Sequence, residues 1–243
     1  MRSFVSSLAL VAVTAGAVSA EDLPSAFVEA NILGIFYHEL GHALIDIEAV
    51  PIFGQEEDAA DVFSILMIHS LFEEDAAQAL AYEAASGFLG EAEMRQEESD
   101  DIAWWDVHGP DEQRFYNTVC IFYGGNPEER QDFAADLDLP EDRAEICPFE
   151  FEQADAAWGA VLDELVDRGA GDSIRFVGDA DSLAAEILAE EVKALNAEMR
   201  LSSDLNVQVE SCGEANAFYD PAAREVIFCA EFEDHLIEME NRL

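Results

Sequence analysis

Residues 38–42 read His-Glu-Leu-Gly-His, which is an H-E-x-x-H pattern. On a helix, His38 and His42 lie about 40° apart around the axis, so both imidazoles can reach one metal ion. Glu39 lies about 100° around from His38, where it can accept a proton from a water molecule on that metal. The pattern therefore predicts a zinc ion bound by His38 and His42, with Glu39 as the general base.

The residues around this motif distinguish a metal site from a chance match, which is usually found on an exposed helix. Apolar side chains cover nearly the whole circumference of the segment between Phe27 and Ile47, as is typical of a buried helix. Two histidines and a glutamate buried there would be costly without partners or a metal. A metzincin site is excluded, because Ile45 and Glu48 stand where that pattern requires glycine and histidine.

A third metal ligand is expected in the acidic segment 56–61. The residues between Ala49 and Gly54 predict a turn, so the following helix can pack antiparallel to the motif helix. Glu57 can then complete a site of two histidines and one glutamate, with Glu56 and Asp61 as the alternative third ligands. Asp61 lies on the same face as Glu57 and can accept a hydrogen bond from a ligand imidazole. The competing interpretation is an acidic helix start with no metal.

Hydrolysis at such a site also requires a hydrogen-bond donor for the developing oxyanion. His108 is the first candidate, because it follows Trp104 and Trp105 in a polar loop that can form the wall of a cleft. Tyr116 and Arg114 are the alternative donors. The other interpretation of His108 is a histidine in a surface loop, since no motif spacing connects it to the metal.

Four segments together resemble a known family. They are residues 38–46 (HELGHALID), 56–61 (EEDAAD), 111–117 (DEQRFYN) with Cys120, and 216–221 (NAFYDP) with Cys229. They resemble the gluzincin clan and, more closely, a bacterial family of putative metallopeptidases known as domain of unknown function 4344. The resemblance implies one Zn²⁺ per chain at His38, His42 and Glu57, with Glu39 catalytic. Zincins usually have a substrate-binding edge strand before the motif helix; here we expect a C-terminal hairpin to supply it.

The pattern of apolar and turn-forming residues predicts a mostly helical α+β protein, in which a zincin-like helix pair carries the motif and a small C-terminal β-hairpin or sheet follows. The predicted helices are Pro24–Glu48, Gln55–Phe72, Ala76–Gln96, Glu112–Tyr123 (closed by Gly124 and Gly125), Phe149–Val166, Leu183–Leu201 and Glu233–Arg242. The predicted strands are Ser173–Val177, Leu205–Glu210, Ala215–Tyr219 and Glu225–Cys229, the last two forming a hairpin. As a coarse division, we expect residues 24–201 to be helical and residues 202–243 to contain the β-structure.

The first 20 residues are typical of a signal peptide, with Arg2, an apolar run from Phe4 to Val18, and small residues before position 21. We therefore expect an exported protein, periplasmic or extracellular, whose residues 21–243 form a single metallopeptidase-like domain. No later segment reaches the roughly 20 apolar residues that a membrane span needs. Four cysteines in an exported chain predict two disulfides, and we favour the sequence-local pairs Cys120–Cys147 and Cys212–Cys229 over the other pairings and over free buried cysteines.

The chain is strongly acidic, with 11 Lys and Arg residues against 54 Asp and Glu residues and a formal net charge of −43. Such a charge repels nucleic acid and anionic membranes, so we expect neither as a partner, and it attracts cations and basic peptides. Solubility in a salty medium is the simpler explanation. Two functions from different classes follow: an exported zinc peptidase acting on a peptide or protein substrate, or an inactive peptidase-like protein whose acidic surface binds a basic or cationic partner. No oligomeric state is predicted.

Overall fold

A computed structural model describes residues 25–243, which form nine α-helices and four β-strands. The predicted signal peptide and the predicted helix start at Pro24 lie outside the described residues. The helices are α1 (Ala26–Ile47), α2 (Glu56–Leu71), α3 (Glu74–Glu98), α4 (Asp111–Gly125), α5 (Gln131–Asp136), α6 (Glu141–Ala144), α7 (Cys147–Asp167), α8 (Leu183–Glu198) and α9 (Glu231–Glu240). The strands are β1 (Ile174–Val177), β2 (Leu205–Glu210), β3 (Ala217–Asp220) and β4 (Glu225–Cys229). This mostly helical α+β architecture confirms the predicted fold class.

Helix α1 is the centre of the core. Ser25 caps its start, because the Ser25 side chain accepts a hydrogen bond from the backbone N–H of Val28 at 3.1 Å. The helix is buried around most of its circumference, as the apolar pattern predicts, and it contacts α2, α3, α8, α9, β3 and β4. The H-E-x-x-H segment therefore lies on a rigid, enclosed element.

The seven predicted helices all form, with ends within three residues of the predicted ones. Gly124 and Gly125 do not stop α4, as was predicted, but lie within it. A side chain at Gly124 would come 2.2 Å from the backbone carbonyl oxygen of Cys147, so this glycine allows α4 and α7 to approach closely. The short helices α5 and α6 were not predicted, because such short segments depend on tertiary packing.

The four strands form one mixed sheet in the order β1-β2-β4-β3. Strands β3 and β4 pair as an antiparallel hairpin, as predicted, with Phe218 opposite Ile227. The pairs β1–β2 and β2–β4 are parallel, and α8 makes the crossover between β1 and β2. Because β1 belongs to this sheet, β-structure begins before the expected division at residues 201 and 202.

Strand β3 is an edge of the sheet and lies against α1. The hydroxyl of Tyr219 in β3 donates a hydrogen bond to Asp46 near the end of α1, at 2.8 Å. The hairpin is therefore held beside the helix that carries the H-E-x-x-H segment, where an edge strand was expected.

Two disulfides link Cys120 to Cys147 and Cys212 to Cys229, which is the sequence-local pairing. The first joins α4 to the start of α7, and the second ties the segment after β2 to the end of β4. Within residues 25–243, no helix combines the length and the apolar character that crossing a membrane requires.

Candidate metal centre

His38 and His42 lie one turn apart on α1 and direct their Nε2 atoms to the same point. The two Nε2 atoms are 3.1 Å apart, and the ring centroids are 4.9 Å apart. His38 and the neighbouring Glu39 are both buried, at 8% and 7% exposure. The helical spacing thus places two nitrogen atoms of a type that binds metals side by side.

Glu57 reaches the same point from α2. Its Oε2 atom lies 3.1 Å from Nε2 of His38 and 3.1 Å from Nε2 of His42. Helices α1 and α2 approach closely because Gly41 faces Ala60: a side chain at Gly41 would lie 3.1 Å from the Cα atom of Ala60. The two small residues therefore allow the carboxylate of Glu57 to reach both imidazoles.

The three atoms fit a metal ion by their chemistry and spacing. Two imidazole nitrogens and one carboxylate oxygen form a donor set found at catalytic zinc sites. Their mutual separations are all 3.1 Å. In a tetrahedral site with metal–ligand bonds near 2.05 Å, ligand atoms lie about 3.3 Å apart. The triangle therefore requires only a small expansion to hold such an ion.

Carboxylates hold both imidazoles from behind. Nδ1 of His38 lies 2.8 Å from Oδ1 of Asp61, and Nδ1 of His42 lies 2.8 Å from Oε1 of Glu56. A carboxylate at Nδ1 favours the tautomer with its proton on Nδ1, which leaves the Nε2 lone pair for a metal. The two acidic residues that were considered as alternative third ligands thus occupy the opposite side of the histidine rings.

Asp61 is in turn fixed by Arg114 from α4. The Arg114 guanidinium donates from Nε to Oδ2 at 2.8 Å and from Nη2 to Oδ1 at 2.7 Å. Burial alone would raise the pKa of Asp61, but the bonds to Arg114 and His38 hold it well below its ordinary value. Arg114, an alternative candidate for the oxyanion donor, lines the cavity and binds Asp61 through two of its three nitrogens.

The electrostatics of the centre favour positive charge. Burial disfavours the charged form of His38, but hydrogen bonds to Asp61 and Glu57 outweigh it and raise the pKa of His38 to about 9. Burial would likewise raise the pKa of Glu57, yet bonds to His108, His38 and His42 keep it far below its ordinary value. Cationic charge is thus stabilised among these side chains, as a site for a metal cation requires.

Glu39 differs from the other acids of the centre. Burial raises its pKa, with the neighbouring histidines acting in the opposite direction. No described residue forms a hydrogen bond with its carboxylate, which lines a cavity instead. A buried carboxylate with a raised pKa and free acceptor positions is suited to proton transfer.

His108 also reaches the centre. Its Nε2 atom lies 3.0 Å from Oε2 of Glu57, its ring stacks at 6.1 Å from that of His38, and Nδ1 lies 3.8 Å from Oδ1 of Asp106. One ligand atom each from His38, Glu57 and His108 lies within 4.8 Å of the others, so His108 is a possible metal ligand in place of His42. It differs from His42 in coming from an exposed loop. Tyr116, the other alternative donor, is exposed and lies outside the cavity lining.

A cavity of about 290 Å³ opens beside the centre. His38, Glu39 and His108 form one side of it. The walls are largely apolar and include Ile35, Ile65, Phe88, Leu236 and Met239. Asn216 and Ala217, at the start of β3, complete the lining. In the sequence, only the motif at residues 216–221 pointed to a contribution from β3. Nothing in the sequence indicated that side chains from α3 and α9 would line the cavity.

Two central helices that join histidine and glutamate side chains at one point define a candidate metal centre of the kind that metallopeptidases use. The chain belongs to the DUF4344 family, described as "Putative metallopeptidase", whose sequence model matches residues 10–162 and 180–242. No curated protein and no solved structure matches the chain. The family match confirms the resemblance drawn from the four segments.

Proposed function

We propose that this protein is an exported, zinc-dependent peptidase that binds one Zn²⁺ per chain through His38, His42 and Glu57. The observation that carries the proposal is the triangle of Nε2, Nε2 and Oε2 atoms, each 3.1 Å from the other two. His42 is preferred to His108 as the second histidine ligand because it lies on the buried helix and is 3.1 Å from both other ligand atoms. The carboxylates of Asp61 and Glu56 support the choice by orienting both rings.

Glu39 is the general base of the proposed reaction. When bound, zinc supplies Lewis acidity that polarises a peptide carbonyl and acidifies a water molecule. Glu39 accepts the proton of the water whose oxygen attacks the carbonyl carbon. It then transfers that proton to the amide nitrogen as the C–N bond breaks, so that a carboxylate and an amine are released. Its raised pKa and unoccupied carboxylate support both transfers.

His108 is the proposed donor to the developing oxyanion. Its Nε2 atom is 3.0 Å from Glu57, and its ring lies beside that of His38 at the mouth of the cavity. A ring N–H at this position can stabilise negative charge that forms next to the metal ligands. Asp106, close to Nδ1, favours that orientation of the ring.

The substrate is proposed to bind in extended form beside β3. This strand is an edge of the sheet and can accept a further strand by main-chain hydrogen bonds. Asn216 and Ala217 place the start of β3 on the cavity wall that Glu39 also lines. A peptide along β3 would therefore pass the proposed base, with room for a side chain in the apolar cavity.

Export to the periplasm or to the exterior forms part of the proposal. The signal-peptide pattern supports it, as do the two disulfides, which persist in oxidising compartments. The net charge of −43 opposes nucleic acid and anionic membrane surfaces as partners.

The test combines metal content with hydrolysis. The purified mature protein should contain about one zinc ion per chain and cleave members of a peptide library, and a chelator should abolish cleavage until zinc is restored. Glu39→Gln should keep zinc and lose about 10²–10⁴-fold in rate. Glu29→Gln, on the exposed face of the same helix, is the matched control and should keep full activity. Zinc binding without hydrolysis would favour the inactive binding protein, and absence of both would contradict the proposal.

A further inference from the structure

Two exposed tryptophans precede His108 by four and three residues. Residues 99–110 connect α3 to α4 and are called the Trp loop here. Trp104 and Trp105 in this loop are 79% and 86% exposed, whereas Trp158 is buried. Large aromatic side chains are rarely left in solvent as a pair, and such patches are typical of binding surfaces.

The Trp loop also carries, or directly adjoins, four exposed carboxylates. Glu98, Asp100, Asp101 and Asp106 are exposed, and no described Lys or Arg side chain forms an ion pair with any of them. Most cations elsewhere in the described residues are paired with acids, namely Arg95, Arg114, Arg130, Arg143, Arg168, Arg175, Lys193 and Arg242. Asp106 lies 3.8 Å from Nδ1 of His108, so the loop combines aromatic faces with three carboxylates, Glu98, Asp100 and Asp101, that have no Lys, Arg or His partner among the described residues.

The loop leads directly into the candidate metal centre. Three residues after Trp105, His108 brings its Nε2 atom to 3.0 Å from Glu57 and lines the cavity. A polypeptide segment lying on Trp104 and Trp105 would therefore lie a few residues along the chain from a side chain that lines the cavity. This continuity distinguishes the Trp loop from an aromatic patch elsewhere on the surface.

We propose that the Trp loop is a docking surface for an arginine- or lysine-rich segment of the peptide substrate. Guanidinium and ammonium groups stack on indole faces by cation–π attraction and pair with the adjacent carboxylates. The net charge of −43 would steer such peptides towards the protein, and the loop would fix where they bind. This inference rests on the proposed peptidase function and adds the chemical class of its substrate.

The test measures binding separately from cleavage. The zinc-loaded Glu39→Gln protein is titrated with a peptide containing several arginines, with the same peptide carrying neutral citrulline at those positions, and with a glutamate version. Tryptophan fluorescence reports on Trp104 and Trp105, because Trp158 is buried and serves as a constant background. We expect the arginine peptide to bind about tenfold more tightly than the citrulline peptide, with affinity falling as salt is added. Equal affinity for all three would overturn the inference.

Paired variants locate the binding surface. Binding to these variants is measured by titration calorimetry, because Trp104→Ala/Trp105→Ala lacks the two fluorescent reporters. This variant should weaken binding of the arginine peptide about tenfold, and Asp100→Asn/Asp101→Asn should weaken it several-fold at low salt. The matched control is Asp179→Asn/Asp181→Asn, which makes the same charge change in an exposed loop after β1, the sheet edge opposite β3. Equal losses from both aspartate pairs would show diffuse attraction and contradict a site on the loop. Failure of hydrolysis by the wild-type protein would leave this binding result unaffected, so the two proposals fail separately.

Discussion

Nδ1 of His38 lies 2.8 Å from Oδ1 of Asp61, on the neighbouring helix. The same carboxylate binds Arg114 through two further hydrogen bonds, so three helices determine the orientation of one imidazole. A metal ion bound at Nε2 would therefore depend on contacts that lie well outside its own ligands.

Asp61→Asn should weaken zinc binding. The substitution removes the charge that orients His38 and leaves partly buried Arg114 without its counter-ion, so we expect a loss of about 10–100-fold in zinc affinity. The affinity can be measured by competition with a chromogenic chelator. Asp58→Asn makes the same change at an exposed position of α2 and should leave the affinity unchanged. An unaltered affinity in Asp61→Asn would show that its carboxylate does not support the metal site.

Gly41→Ala should weaken zinc binding, although it adds only one methyl group. The added methyl group would lie 3.1 Å from the Cα atom of Ala60, so α1 and α2 must separate slightly. Because metal ligands must be held within about 0.5 Å of their binding positions, we expect roughly tenfold weaker zinc binding. Gly34→Ala is the control on the same helix, since its methyl group would meet Ala84 at an ordinary 3.5 Å. It should preserve zinc affinity and raise stability by up to about 1 kcal/mol.

His108→Ala distinguishes an oxyanion donor from a metal ligand. If His108 stabilises the oxyanion, kcat should fall about 10²–10³-fold while the zinc content stays at one per chain. His42→Ala, measured in parallel, should lose zinc. A loss of zinc from His108→Ala as large as that from His42→Ala would instead assign His108 as a ligand.

A second buried cluster predicts how stability depends on pH. Burial, assisted by Arg130, lowers the pKa of His69 to about 4 from an ordinary 6.5. The unfolded chain therefore takes up a proton first, and stability falls as the pH decreases from 6.5 towards 4. Between pH 6.5 and pH 4, the free energy of unfolding of the His69→Gln variant should fall by about 2 kcal/mol less than that of the wild type, after allowance for solvent screening. Urea unfolding of both proteins at pH 7, 5.5 and 4, at one fixed zinc concentration, measures this difference.

His235 supplies a control of opposite sign. The hydrogen bond to Glu91 raises the pKa of His235, so its contribution to stability is present below pH 6.5 and is lost as the pH rises through the folded-state pKa. His235→Gln should therefore reduce stability at pH 5.5 more than at pH 8. The same pH trend in both histidine variants would contradict these assignments.

Loss of the Cys120–Cys147 disulfide should destabilise the fold. The bond closes a loop of 27 residues and joins α4, which carries Arg114, to α7. Cys120→Ala/Cys147→Ala should lower the free energy of unfolding by about 3 kcal/mol. Thermal unfolding with and without a reducing agent measures this, and the reducing agent should shift the double variant less than the wild type. An equal shift would assign the effect of reduction to Cys212–Cys229.

Local patterns predicted most of the helical structure and the helix pair of the candidate site. Apolar periodicity identified α1 as buried, and the turn after it indicated that α2 returns alongside. The His38, His42 and Glu57 juxtaposition follows from these two short-range features. Helical spacing also indicated that Asp61 could meet an imidazole, and the structure shows it at Nδ1 of His38.

Features that depend on distant packing were not predictable in the same way. No local pattern indicated that Arg114 would pair with Asp61, because that contact requires α4 to lie against α2. Glu56 was considered as a ligand, and only the three-dimensional packing of α2 against α1 shows its carboxylate at Nδ1 of His42. The parallel pairing of β2 with β4 likewise joins residues about twenty positions apart without a local turn signal. Long-range contacts such as these leave no periodic trace in the chain.

The cavity is formed by both ends of the described chain: His38 and Glu39 come from its first helix, and Asn216 and Ala217 from its last hairpin. During translation, the ribosome releases this hairpin long after helices α1 and α2. A partly synthesised polypeptide thus carries His38, His42 and Glu57 before the β3 residues that complete the cavity lining have been made.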